Sequence, residues 1–245
     1  APLDEGDTGS AYVFSRSEGV WSQQQKLTPS NRLIAEDFGR SVGLSDDGTT
    51  ALIGAPEGDT ESAYVFSRSE GAWSQQQKLT PSDGGFGRAF GESVGLSDDG
   101  TTALIGAFKS SVGQSSGTGP AYVFTRSNRE WSQQQKLTPS DGDVDDDFGD
   151  SVGLSDDGTT ALISADDDDD DTGSAYVFTR SNREWSQQQK LTAPDGDKLD
   201  NFGFSVGLSD DGTTALIGAD EDDDNTGSAY VFTENGSTPP GGGGE

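Results

Sequence analysis

Residues 38–53 read FGRSVGLSDDGTTALI, and the string returns with small changes at 90–105, 148–163 and 202–217. In the first copy Phe38, Val42 and Leu44 share one parity, while Gly39, Ser41, Gly43 and Ser45 form an opposite face nearly without side chains. That is the period of a β-strand, and a face of Gly and Ser lets another backbone come close. The following SDDGTT is a hairpin turn, because Asp-Gly supplies the positive φ that a tight turn demands. ALI then opens a second strand.

Two further strings flank each copy. AYVF places its Tyr at 12, 64, 122, 176 and 230, and WSQQQKLT begins at Trp21, Trp73, Trp131 and Trp185. Tyr64 and Phe66 fall on one face of a strand, Ala63 and Val65 on the other. WSQQQKL sets Trp73, Gln75, Gln77 and Leu79 against Ser74, Gln76 and Lys78, a polar strand suited to a sheet edge. Equivalent tryptophans are 52, 58 and 54 residues apart, too long for helical solenoid repeats and suited to four strands per unit. The expected fold is all-β: a β-propeller of about four four-stranded antiparallel blades. The repeats run near 12–63, 64–121, 122–175 and 176–233, and the Gly/Pro-rich stretch 234–245 reads as a linker or tail.

AYVF occurs five times and the other strings four times each, so one strand is surplus. A closed ring would use the Trp21 strand to complete the last blade, leaving the strands of Tyr12 and Phe14 and of Tyr230 and Phe232 competing for one position. An unpaired strand is a template for another chain, which makes these four residues candidate interface residues for head-to-tail assembly into a filament.

Composition narrows the chemistry. With no His or Cys among 245 residues, there is no disulfide, thiolate nucleophile, Ser-His couple or ordinary zinc site. Leu, Ile, Val and Phe make up only 44 residues, a share usual for disordered chains; the repeats overrule that reading, since thin blades bury one another. The 44 acidic against 15 basic side chains give a net charge of −29, which repels nucleic acid and anionic lipid. No apolar run is long enough to insert in a membrane. Six Lys in the whole chain suit a protein that works in concentrated salt, where screening shortens the reach of like-charge repulsion to about 3 Å.

The units from Phe38-Gly39 through Gly54-Ala55-Pro56 to Tyr64-Val65-Phe66 resemble the FG-GAP repeats that build the propeller of integrin α subunits and of many microbial surface proteins. The acidic form with WSQQQKLT strands is similar to secreted FG-GAP proteins of halophilic archaea. The resemblance implies an extracellular or cell-surface propeller used for adhesion or assembly, with itself, another surface protein or a glycan as partner. Family members often hold Ca²⁺ between the first two strands of a blade; here that loop has shrunk to Ser45-Asp46-Asp47-Gly48, too short to surround an ion with six oxygens.

Other acidic loops have the alternation a hard cation needs. Asp141, Asp143, Asp145 and Asp147 precede Phe148, and Asp195, Asp197 and Asp200 precede Phe202. These are candidate Ca²⁺ ligands, although no cofactor is required, and hydrated acidic surface is the account the composition favours over a specific site. The stretch from Gly100 to Arg129 contains no acid; Phe108, Lys109, Arg126 and Arg129 make it a candidate interface for an acidic partner. Nearly every polar strand residue recurs in several copies, whereas an enzyme needs a unique constellation. The reading is therefore a non-enzymatic structural or adhesive module. A cation-dependent ligand-binding module is the alternative, and a polysaccharide-acting enzyme the third.

Overall fold

The computed structural model describes residues 9–30, 37–57, 61–84, 89–108, 119–143, 146–168, 172–222 and 226–234. Within these, 17 strands form five antiparallel sheets. Blade 1 holds β3 (Val42–Leu44), β4 (Thr50–Ala55), β5 (Ser62–Ser69) and β6 (Ala72–Leu79). Blade 2 holds β7 (Val94–Leu96), β8 (Thr102–Gly106), β9 (Ala121–Ser127) and β10 (Glu130–Leu137). Blade 3 holds β11 (Val152–Leu154), β12 (Thr160–Ala165), β13 (Ser174–Ser181) and β14 (Glu184–Leu191). A three-stranded sheet follows, β15 (Phe202–Leu208), β16 (Thr214–Ala219) and β17 (Ser228–Thr233); a hairpin of β1 (Ala11–Ser17) and β2 (Val20–Leu27) precedes them all.

Each blade is a meander, its strands lying side by side in chain order. The SDDG turn after β3 puts Gly48 at φ 62°, and Asp47 accepts bonds from the Ser45 hydroxyl (2.7 Å) and the Thr49 N–H (2.9 Å). These local bonds favour the turn over a continued strand. Between β5 and β6 the register runs Tyr64↔Lys78, Val65↔Gln77 and then Phe66↔Gln75, so Gln76 bulges outward. Such a bulge steepens the right-handed twist, and it recurs between β9 and β10 and between β13 and β14.

Adjacent blades form the cores. Leu52, Ala63, Val65 and Leu79 of blade 1 pack on Phe90, Ile105, Tyr122, Phe124 and Trp131 of blade 2; equivalent sets join blade 2 to blade 3 and blade 3 to the last sheet. In the three blades and the last sheet the FG phenylalanine lies edge-on between two AYVF rings, as Phe90 does at 5.4 Å from Tyr122 and 6.1 Å from Phe124. The expected Gly face does its work at the hub, where a Cβ on Gly43, Gly95 or Gly153 would lie only 3.1–3.3 Å from Leu96, Leu154 or Leu208 of the next sheet.

The blades and their strand order agree with the sequence reading. Ring closure through the Trp21 strand does not occur: β2 pairs with β1, and the hairpin packs on blade 1 through Ala11, Val13 and Leu27. Among the described residues four clusters each join a sheet to its successor, and none joins the last sheet to the first. The result is an open arc with a head at β1–β3 and a tail at β15–β17.

Candidate interaction site

At the outer corner of each blade the Tyr of AYVF lies under the Lys of WSQQQKL. The distances from Nζ to ring centroid are 5.6 Å for Lys26 and Tyr12, 5.4 Å for Lys78 and Tyr64, and 5.6 Å for both Lys136 on Tyr122 and Lys190 on Tyr176. In blade 2 the Tyr122 hydroxyl and Lys136 Nζ both donate to Asp83, at 3.0 and 2.6 Å. In blade 3 Tyr176 donates to Asp168 (2.8 Å), while Lys190 bridges Asp168 (2.7 Å) and Asp141 (3.3 Å). Burial would raise the Asp168 carboxyl, but Lys190 and Tyr176 outweigh it and hold the group below the ordinary Asp value.

The last sheet keeps two parts of this clamp. Tyr230 donates to Asp222 (2.6 Å) and Asp195 (3.0 Å), the positions of Asp168 and Asp141 one repeat later. The Lys belongs to a fourth strand, and this sheet has three. Beside β17 lies a groove of about 680 Å³, lined among others by Gln189 and Leu191 of β14, Leu208, Ala215 and Phe232.

The inner wall of that groove repeats a contact that elsewhere holds a strand. Gln25 donates to the Trp73 carbonyl (2.9 Å) and accepts from the Trp73 N–H (2.9 Å). Gln77 brackets Trp131 and Gln135 brackets Trp185 in the same way. Gln189 is the next member of the series.

Head and tail also match at the hub. Val42 is 65% and Leu44 58% exposed, whereas a Cβ on Gly207 would meet none of the described residues within 4 Å. The SDDG turns form a backbone ladder, Asp46 N–H to Asp98 C=O (3.1 Å), Asp98 to Asp156 (2.9 Å) and Asp156 to Asp210 (2.9 Å). Its ends are the Asp46 carbonyl at the head and the Asp210 N–H at the tail.

Residues 21–66, 73–124, 131–178 and 185–232 match the FG-GAP repeat family. The chain belongs to this family. Each FG-GAP match starts on a Trp strand and ends on an AYVF strand, so the sequence unit straddles two sheets and β1 lies outside the four units. The FG-GAP arc resembles solved structures of low sequence identity, one of them a β-propeller domain. The β-propeller domain of Cps50 (Swd1) from Myceliophteria thermophila has TM-score 0.60 at 12% identity, over 92% of this chain and 64% of that one. A protein from Lactobacillus plantarum gives 0.61 at 15%, over 95% and 64%, and TolB from Acinetobacter baumannii 0.52 at 15%, over 89% and 47%. The chain thus spans about half to just under two thirds of the length of these structures. No curated protein sequence matches the chain.

The residues singled out in the FG-GAP sequence fall in several places. Tyr12 and Phe14 are exposed at the head, and Tyr230 and Phe232 line the tail. Phe108 is half-buried, Lys109 lies outside the described residues, and Arg129 is exposed in the β9–β10 turn at φ 70°. The Arg126 charge adds a little to the Ser and Thr bonds that hold the carboxyls of Asp47 and Asp99 low. Among the Asp residues, Asp145 lies outside the described residues, Asp141 pairs with Lys190 and Asp195 accepts from Tyr230. The N–H groups of Asp143 and Asp197 donate to Asp146 and Asp200, and Asp147 takes φ 51° in the turn before Phe148. Among the described residues no three carboxylates gather around one point as a cation would need. The sequence reading missed Asp83, Asp146, Asp168 and Asp222; the signal was the constant spacing of Tyr and Lys, which sets them opposite each other in Tyr64↔Lys78, Tyr122↔Lys136 and Tyr176↔Lys190.

Proposed function

We propose that this FG-GAP propeller is a non-enzymatic structural module of a halophile's cell surface or surroundings, and that it joins copies of itself head to tail. The observation that carries the reading is the fit between Leu44 and Gly207. Three times within the chain a Leu of one sheet covers a hub Gly of the preceding sheet, and the two ends present one more Leu and one more Gly. The turn ladder adds a terminal acceptor at Asp46 and a terminal donor at Asp210. A head-to-tail contact closes into a ring when its rotation allows and otherwise propagates. Two copies carry eight repeats, within the usual propeller range of about four to eight blades.

Sedimentation velocity across the micromolar range should show wild type growing from monomer to dimer or larger species. Leu44→Glu, at a site already exposed, should sediment as monomer at every concentration. Wild type that stays monomeric throughout would remove the reading.

The halophilic part has its own test. The Asp156 carboxyl at the hub is raised by burial and by the charges of Asp210 and Asp98, a repulsion that salt screens. Lowering KCl from about 2 M to about 0.05 M should lower the melting temperature; a flat or rising profile would count against adaptation to salt.

A further inference from the structure

We infer that the groove beside β17 is the seat of β2 from a second copy, and that Lys26 of that copy inserts between Asp195 and Asp222. This rests on the head-to-tail reading above and names the residues that make the joint.

The other blades dictate the assignment. Every complete blade places a WSQQQKL strand beside its AYVF strand, and the Lys of that strand stacks on the Tyr directly opposite. In blade 3 that Lys joins the two carboxylates at the positions of Asp195 and Asp222. In the last sheet both carboxylates converge on the Tyr230 hydroxyl, and the strand able to bring a Lys is missing from the sheet. The chain has four WSQQQKL strings. Three are the fourth strands of blades 1, 2 and 3, and the remaining one is β2, at the far end of the arc. Seated beside β17, a second copy's β2 would bring Lys26 to the clamp and the backbone of Trp21 to Gln189. In this structure the Trp21 side chain is 65% exposed, while Trp73, Trp131 and Trp185 are 4–6% exposed.

β1 and β17 are equivalent AYVF strands, and a blade has room for one of them. Whichever occupies the third position, the fourth is β2 and Lys26 reaches the same two carboxylates. One contact of the internal joints is lost. Ser30, Ser82 and Ser140 donate N–H groups to Gln75, Gln133 and Gln187 (2.8 Å each), but the next position is Pro194, which has no N–H. The joint between copies is therefore weaker than those within the chain, as a reversible contact requires.

The test is a charge swap. Lys26→Glu and Asp195→Lys both alter side chains that are not buried, so each variant should fold, which circular dichroism verifies. At the lowest salt that keeps wild type folded, each variant alone should self-associate at least about tenfold more weakly than wild type, because it brings like charges together at every joint. Mixing the two should restore association, since each joint then holds either the native or the inverted pair. Assembly of wild type with both variants unaffected would overturn the Lys26 pairing while leaving head-to-tail assembly standing. Two monomeric variants that stay monomeric when mixed would overturn the pairing as well. Wild type that never associates removes both.

Discussion

Gly106→Ala is expected to destabilise the protein by at least about 3 kcal/mol, the upper end for overpacking a core, and to lower its melting temperature by roughly 6–12 °C. Gly106 ends β8 where the next repeat's backbone comes closest. Its N–H donates to Ser93 C=O (2.9 Å) and its C=O accepts from Gly91 N–H (2.9 Å). An added Cβ would fall well inside van der Waals contact of the Gly149 carbonyl oxygen and the Ser93 hydroxyl, and the carbonyl is backbone that cannot rotate away. Gly54 faces the same obstruction from Gly91 and Ser41. Blade 3 carries Ser164 at the equivalent position, fully buried, but there the neighbouring strand differs: β15 starts at Phe202 and shifts register before Ser205. The Ser164 hydroxyl accepts from Ser151 N–H (2.9 Å). Gly106→Ser should therefore cost as much as Gly106→Ala. Thermal unfolding of the two variants within about 2 °C of wild type would show that the blades do not approach as described.

Stability should rise as pH falls from 8 to about 5. Asp150 is pushed up to about 6, by burial first and then by Glu92, with Arg40 opposing. Asp166 is pushed up to about 7, by burial and then by Asp150, and its Oδ1 has no hydrogen-bond partner among the described residues. Both folded values exceed the unfolded value of about 3.9. As pH drops through about 7 and then 6, the folded state takes up protons that the unfolded chain does not yet bind, so folding is favoured. Toward pH 4 the unfolded chain binds them too and the gain levels off. The opposite group then takes over: turn bonds from Ser and Thr hold Asp47 and Asp211 below the ordinary carboxylate value, and at Asp99 and Asp157 they outweigh burial. That stabilisation is lost as these groups protonate. Asp150→Asn should add about 2 kcal/mol at pH 8, somewhat less than the full shift at 1.36 kcal/mol per pH unit because the site is partly solvated. It should also flatten the rise toward pH 5. A wild-type melting temperature equal at pH 8 and pH 5 would refute the assignment of these two carboxyls.

Strand identity and facing were legible because a period of two is local. Tyr64 and Phe66 could be assigned to one face, and Gly43 to a bare one, without knowing what lay opposite. The acidic loops were not legible in the same way. Alternation at Asp141, Asp143, Asp145 and Asp147 has meaning on a strand, but a loop follows its own bonds. There the buried carboxylate is Asp146, which accepts the Asp143 N–H. Asp168 and Asp222 stand within runs of Asp that have no period to mark one member out; tertiary structure brings them to the hydroxyls of Tyr176 and Tyr230.

The sequence by itself determined the repeat, the four strand types, the order of strands in a blade and the existence of one AYVF strand too many. Whether the surplus stays within a closed ring was decided only by tertiary structure. Closure depends on the angle between successive blades, set by the thickness of side chains across each joint, such as Leu96 on Gly43 and Leu154 on Gly95. Each joint looks alike in sequence, but their rotations add, and the sum leaves β3 and β15 apart, with Leu44 exposed and Gly207 uncovered among the described residues.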